Sequence, residues 1–254
     1  MRRAHSSTAV LFGATSQIGI DVVRELVVPG VRSRLVLAGR SGAHRAAAAE
    51  ELREDYTVSE LDWDALDLED ATWVMDQAAG RAGRPVDLVV IAVGTLPPGL
   101  PDLTQRSAAA ELRDALSVNA VAPATLLVAA VQRLASDGGG QVVLLSSASA
   151  VRPRRQILTY ALAKQSADAM ARHVQPAARA LGVDIHVVRP GHVLTPMTQG
   201  LPVPPLARTS AQVARDVATG VAHRRGVIWS PAVMRSVVWG LRLVPRSLLP
   251  GSLR

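Results

Sequence analysis

Seven short runs rich in Val, Leu, Ile and Ala, most of them continuous rather than alternating, recur along the chain with longer helix-period stretches between them. They are Thr8–Phe12, Arg34–Ala38, Val58–Leu61, Val86–Val93, Gln141–Ser146, Asp184–Arg189 and Val227–Trp229. A strand that is apolar on both sides has both faces covered, which is the pattern of parallel strands between layers of helix. Helical patterns fill the gaps at Gln17–Val27, Ala43–Leu52, Asp70–Arg81, Ala108–Leu134, Thr159–Leu181 and Ser210–His223. This β-α-β-α order predicts an α/β fold with a doubly wound parallel sheet of about seven strands. At 254 residues the chain suits one such domain better than two small ones.

Composition narrows the chemistry. With one Phe and two Tyr, the core must be built from Ala, Val and Leu. The absence of Cys excludes disulfides, thiolate metal sites and cysteine nucleophiles, and no metal site is expected. A net charge of +7 suits phosphorylated ligands or an anionic surface. Nucleic acid is not expected, because stacking platforms need aromatics that this chain lacks. The polar, basic start from Met1 to Ser7 is not a signal peptide, and no stretch of about 20 residues stays apolar without charge, so no spanning helix and a cytoplasmic location are predicted. The Pro-rich segment from Gly200 to Pro205 reads as a loop over a substrate site.

Two motifs carry chemistry. The first strand runs into a helix through Phe12-Gly13-Ala14-Thr15-Ser16-Gln17-Ile18-Gly19. Glycine here permits a tight turn, and the helix N-terminus behind it favours the pyrophosphate of a dinucleotide. The second motif is Tyr160-Ala-Leu-Ala-Lys164, whose i and i+4 positions share one helix face. A cation beside a phenol favours the phenolate and brings its pKa toward a useful range. Lys164 is the only Lys in the chain and Tyr160 one of two Tyr. Chance would place them so on the order of one time in a hundred, small beside ordinary motif coincidence.

With these motifs in place, the sequence resembles the short-chain dehydrogenase/reductase family over nearly its whole length. The resemblance implies a single Rossmann-type dinucleotide-binding and catalytic domain over residues 1–230. It matches the catalytic Ser to Ser147 and the helix Asn to Asn119. Ser147 would hold a substrate carbonyl, Tyr160 deliver the proton, Lys164 grip the nicotinamide ribose and Asn119 hold a water that leads protons in. The run from Pro190 through Gly191 and Val193 to Thr195 looks like the family's loop for the carboxamide and phosphates. Ala92 and Gly94 fall in the cofactor loop after strand four, and Asp64, with Asp62 as a rival, at the adenine. The chain departs from the pattern at Phe12, at Gln17 and at Ile91-Ala-Val-Gly94. After strand two Gly39 stands at the position of the ribose-binding acid and Arg40 follows it, so NADPH is favoured and NADH stays open.

The substrate signals are basic. Arg152-Pro153-Arg154-Arg155 lies between Ser147 and Tyr160, and clustered guanidiniums can grip a phosphate in bidentate fashion. Residues 231–254 interleave Trp239, Val237, Val238, Leu241, Leu243, Leu248 and Leu249 with Arg235, Arg242, Arg246 and Arg254. That C-terminal amphipathic basic extension suits either an anionic membrane surface or packing on the body or a partner. Together with Trp229-Ser-Pro-Ala and Val244-Pro-Arg-Ser247, these features resemble a narrower branch, the reductase components of decaprenylphosphoryl-β-D-ribose 2′-epimerases. The resemblance implies reduction of a polyprenyl-phosphate-linked 2-keto-pentose to the arabinose epimer for cell-wall arabinan. It also implies a flavin-dependent oxidase partner, a homo-oligomer and the inner face of the plasma membrane. A short-chain reductase of another ketone is the competing expectation, and a non-catalytic dinucleotide-binding subunit a third.

Overall fold

The computed structural model describes residues 6–67, 70–97, 99 and 101–243, with backbone alone at 242 and 243. Its elements are β1 (Thr8–Phe12), α1 (Gln17–Leu26), β2 (Arg34–Gly39), α2 (Ala43–Leu52), β3 (Thr57–Asp62), α3 (Ala71–Ala82), β4 (Leu88–Ile91), α4 (Ala108–Leu116), α5 (Ala122–Ser136), β5 (Gly140–Leu145), α6 (Leu158–Ala180), β6 (Val183–Pro190), β7 (Val193–Leu194), β8 (Arg208–Thr209), α7 (Ser210–Ala222), β9 (Val227–Ser230) and α8 (Met234–Leu243).

Seven strands pair in parallel in the order β3-β2-β1-β4-β5-β6-β9. The pleat sends alternate side chains to opposite faces. Val10, Phe12, Val36, Val89 and Ile91 meet α3, α5 and α6 on one side. Ala9, Leu11, Leu35, Leu37, Leu88 and Val90 meet α1, α2 and α7 on the other. Every residue of β1 and β4 is buried, which is why their sequences show no alternation. The chain starts at β1 in the middle of the sheet, winds outward to β3, then returns to β4 on the other side of β1. Beyond the carboxyl ends of β1 and β4 this reversal leaves a crevice, the place where open α/β sheets take ligands.

The structure departs from the sequence expectations in three places. The helix expected over Ala108–Leu134 is continuous, but a π-turn at Ser117–Val121 divides it into α4 and α5. By length and composition the run Ala108–Ser136 is apolar enough to cross a membrane, contrary to the sequence reading. Its Leu126, Leu127, Ala130 and Leu134 are fully buried in the domain, so it serves here as a core helix. A two-stranded parallel pair, β7 with β8, was also not foreseen; it pins both ends of the segment that carries Gly200 to Pro205. Toward the C-terminus α8 buries Val238 and exposes Val237 and Trp239, and Val233 just before it is exposed. The remaining tail signals, Val244-Pro-Arg-Ser247, Leu248, Leu249 and Arg254, lie outside the described residues.

Candidate active site

The first βα turn is shaped by what glycine lacks. Gly13 has φ +93°, and a Cβ there would lie 2.8 Å from the carbonyl carbon and oxygen of Ala92. At Gly19 a Cβ would lie 2.8 Å from both the Ala92 side chain and Leu11 Cδ1. Two glycines therefore let the turn close onto the end of β4. Ser16 caps α1, its Oγ accepting from the Gly19 amide at 3.2 Å. Thr15 and Gln17 are exposed and Ile18 half-buried at the helix mouth, where free N–H groups and the helix dipole favour an anion. Phe12 packs edge-on against Trp63, with centroids 5.5 Å apart, which gives this departure from the family pattern a structural role. Across the crevice, Gln17, Leu194, Thr195 and Gln199 line a common cavity of about 340 Å³. The loop carrying Thr195 starts from Pro190 at the end of β6. Gly191 donates its amide to Ser230 O at 2.9 Å, and Val193 is buried in β7.

At the other end of the crevice the structure sorts the charged candidates. Arg45, a buried residue that sequence reasoning missed, donates to Gly39 O at 2.7 Å and to Glu60 at 2.9 Å, and pairs with Asp62. Asp62 is thereby engaged. Asp64 accepts from the Leu66 amide at 3.0 Å and shapes its own turn. Arg40 is exposed and has no ion pair among the described residues. It follows Gly39, where a Cβ would stand 3.3 Å from Ala14 of the first turn.

Ser147, Tyr160, Lys164 and Asn119 come together beyond the ends of β4 and β5. Ser147 leaves β5 half-buried; its Oγ hydrogen-bonds Tyr160 and lies 2.9 Å from Ser149 Oγ. Tyr160 and Lys164 share a face of α6, with Nζ 6.0 Å from the centre of the phenol ring. Lys164 is buried and donates to Val93 O at 2.9 Å and Leu145 O at 3.0 Å, tying α6 to the ends of β4 and β5. Asn119 is fully buried on the π-turn. Its Nδ2 donates to Ala115 O at 3.0 Å, while its Oδ1 accepts from the Thr95 amide at 3.1 Å. Single π-turns of this kind often mark functional sites. At Gly94 a Cβ would lie 3.1 Å from both Asn119 Oδ1 and Lys164 Nζ, so glycine keeps the space in front of these groups open.

The electrostatics differ from the sequence expectation. Burial pushes the Tyr160 phenol above its ordinary value, opposed by the bond to Ser147. The ammonium expected to depress it is itself lowered by burial to about 8. A neutral amine has two N–H groups, and both would go to the carbonyls of Val93 and Leu145; only the ammonium has a third to offer a ligand. Lys164 is protonated below a pH of about 8 and loses that donor as the pH rises through it. Dinucleotide affinity, measured by fluorescence titration, should therefore hold constant below that midpoint and decline above it. A flat profile through that range would remove Lys164 Nζ as a ligand.

One buried ion network stands behind this site. The Asp168 carboxylate accepts from Ser146 Oγ at 2.7 Å, from Arg189 Nε at 2.8 Å and Nη2 at 2.6 Å, and from Arg172 Nε at 2.9 Å. Burial opposes its charge, yet Arg189, Ser146 and Arg172 hold its pKa below the ordinary carboxylate value. Arg189 also stacks over Trp229, 5.1 Å from the ring. Removing one partner of such a pair usually costs about 3–5 kcal/mol, whereas an apolar replacement of both is often neutral. The sequence offered no signal for the pairing of Asp168 with Arg189 and Ser146, which lie 21 and 22 residues from it.

Between Ser147 and α6, Arg152 is half-buried and Arg154 and Arg155 exposed. None has an ion pair among the described residues. Gly99 brings the loop after β4 against this segment: a Cβ there would be 2.5 Å from Gln156 O and 2.7 Å from Arg155 O. Gly99 O accepts from the Thr159 amide at 3.0 Å and hydroxyl at 2.9 Å, capping a helix that has no side-chain cap of its own. Among the described residues no group of three or more His, Cys, Asp or Glu is placed to hold a metal.

A doubly wound sheet with a glycine turn at its switch point, and a Ser-Tyr-Lys set facing that turn, defines a dinucleotide-dependent oxidoreductase. The family model for short chain dehydrogenases matches residues 7–203. An uncharacterized oxidoreductase of Mycobacterium tuberculosis is 30% identical over 249 residues, 95% of each chain. Another from Streptomyces coelicolor is 32% identical over 239 residues, covering 94% of this chain and 93% of the relative. A short chain dehydrogenase from Burkholderia cenocepacia, solved in complex with NADP, superimposes with a TM-score of 0.77 over 98% of this chain and all of its own, at 16% identity, a likeness of fold. The chain belongs to the short-chain dehydrogenase/reductase family and is an NAD(P)-dependent oxidoreductase.

Proposed function

We propose that this enzyme reduces the ketone of an anionic, lipid-borne substrate with NADPH. Within that class, the 2-keto group of a polyprenyl-phosphate-linked keto-pentose is the substrate that the Arg loop and tail suit best. The observation that carries the reading is the loop of Arg152, Arg154 and Arg155 between Ser147 and Tyr160, free of acidic partners among the described residues. Guanidiniums so placed can take a phosphate while the carbonyl reaches Ser147. Support for a lipid comes from the exposed Leu194 of β7 and Met197, Leu201, Val203 and Leu206 between β7 and β8, an apolar lip beside the cavity.

The residues divide the work as follows. Ser147 Oγ donates to the carbonyl oxygen and Tyr160 Oη delivers the proton that becomes the alcohol hydrogen. Lys164 offers its third N–H to the nicotinamide ribose, and Asn119 holds a water that carries protons in. Gly13, Ser16, Gln17 and Thr195 border the space for the pyrophosphate. The bound reduced dinucleotide supplies the hydride. The pocket fits that group: a side chain at Gly94 would stand 3.1 Å from Lys164 Nζ, and glycine leaves that space open to a ligand.

Changing Arg152, Arg154 and Arg155 together to Ala should raise KM for a short, water-soluble phosphorylated keto-pentose at least tenfold and leave kcat within about twofold, the pattern of lost uniform binding. An unphosphorylated ketone should be unaffected. Equal KM values for wild type and variant would move the enzyme to the second reading, a reductase of another ketone. Arg40→Asp should shift the ratio of kcat/KM from NADPH toward NADH by removing a phosphate partner and supplying an acceptor for the 2′-hydroxyl. A wild type that prefers NADH would refute the role given to Arg40.

The reading further places the enzyme at the cytoplasmic membrane face, as a homo-oligomer working after a flavin-dependent oxidase that makes the ketone. The full chain should sediment with anionic vesicles and not with neutral ones, since each basic residue near such a surface contributes roughly 1 kcal/mol. Failure to do so would remove the membrane from the account.

A further inference from the structure

We propose that Asp168 and Arg189 are positioning residues, a buried clamp that holds Ser147 against Tyr160 and sets the loop from Pro190 to Thr195. The clamp joins three parts of the site. Asp168 follows Lys164 by four residues, on the face of α6 that carries Tyr160 and Lys164. Through Ser146 Oγ, at 2.7 Å, it holds the residue immediately before Ser147. Through the bidentate Arg189, at 2.6 and 2.8 Å, it holds the residue immediately before Pro190. Trp229 under the Arg189 guanidinium and the Gly191–Ser230 bond at 2.9 Å extend the fixed frame to β9.

The geometry gives the clamp consequences beyond cohesion. Strand β5 delivers Ser147 and α6 delivers Tyr160, and strand pairing fixes β5 between β4 and β6 but not against α6. Besides apolar packing, two bonds tie the strand end to the helix: Lys164 reaches Leu145 O and Asp168 reaches Ser146 Oγ. Loosening the second leaves Ser147 free to drift from the phenol, and a misplacement of about 1 Å can cost on the order of a hundredfold in rate. The proposal rests on the reading of Ser147 and Tyr160 as the reacting pair, but it can be tested without substrate.

The test follows Tyr160 by the Cζ resonance of labelled tyrosine, in a Tyr56→Phe background that leaves one signal. The Ser147 bond opposes the rise of the phenol, so a weaker bond should raise its midpoint. Ser146→Ala, which changes no charge, is expected to move it up by about half a pH unit, a threefold change in ionisation constant. Asp168→Asn should weaken NADPH binding about tenfold, because the Pro190 loop loses its anchor. The double variant Asp168→Leu/Arg189→Met should regain the wild-type Tm but not the wild-type Tyr160 midpoint, which separates positioning from cohesion. A wild-type midpoint in Ser146→Ala, a variant mild enough to fold if Asp168→Asn does not, would overturn the proposal. Recovery of both properties in the double variant would overturn it equally. Should wild-type protein fail to bind NADPH, the cofactor assignment fails while the tyrosine signal still decides the clamp.

Discussion

Tyr160→Phe should abolish reduction while leaving dinucleotide affinity within about twofold of wild type. The change removes only Oη, so the frame around Lys164 survives; what disappears is the hydroxyl that hydrogen-bonds Ser147, proposed above as the proton donor. A single positioned acid contributes about 10²–10⁴-fold, and the loss should appear in kcat with little change in KM. Burial that raises the Tyr160 pKa suits this direction of chemistry, because the phenol stays protonated across the neutral range. Turnover near the wild-type level would show that another group delivers the proton.

Lys164→Met should be damaging in a different way, lowering both dinucleotide affinity and kcat. Met fills the space of the aliphatic stem, but the carbonyls of Val93 and Leu145 lose their donor. A buried acceptor left without a partner costs about 1–3 kcal/mol, so a fall in Tm of several degrees is expected with the loss of function. Affinity and rate should each fall at least tenfold. If affinity falls alone, Lys164 serves the ribose and has no part in holding the reacting groups.

The parallel sheet was legible because burial on both faces leaves continuous runs such as Leu35-Val36-Leu37 and Val89-Val90-Ile91, and each became a strand. The Tyr160–Lys164 pair was legible for a related reason: the two sit at helical spacing on one element, and scarcity made the pair visible. What lay hidden depends on contacts between distant segments. Arg45 looks like any other Arg of an Ala-rich helix until β2 and β3 bring Gly39, Glu60 and Asp62 around it. Asp168 likewise reads as one polar helix residue among several. Only the juxtaposition of β5, β6 and α6 shows that it gathers Ser146 and Arg189. The π-turn at Asn119 was read as plain helix because its periodicity shifts by a single residue, too little for an apolar pattern to register. Burial raises the Tyr160 phenol and lowers the Lys164 ammonium, an effect that spacing on a helix face does not reveal.

The most direct test of the account is an isotope balance. Purified enzyme is mixed with NADPH deuterated on the transferable position and a 2-keto-pentose on a polyprenyl phosphate, generated in place by a flavin-dependent oxidase. The account predicts one deuterium in the alcohol for each dinucleotide oxidised, with transfer lost in Tyr160→Phe. Dinucleotide that stays reduced in the presence of the ketone would contradict the proposed substrate, and undiminished transfer in Tyr160→Phe would contradict the site.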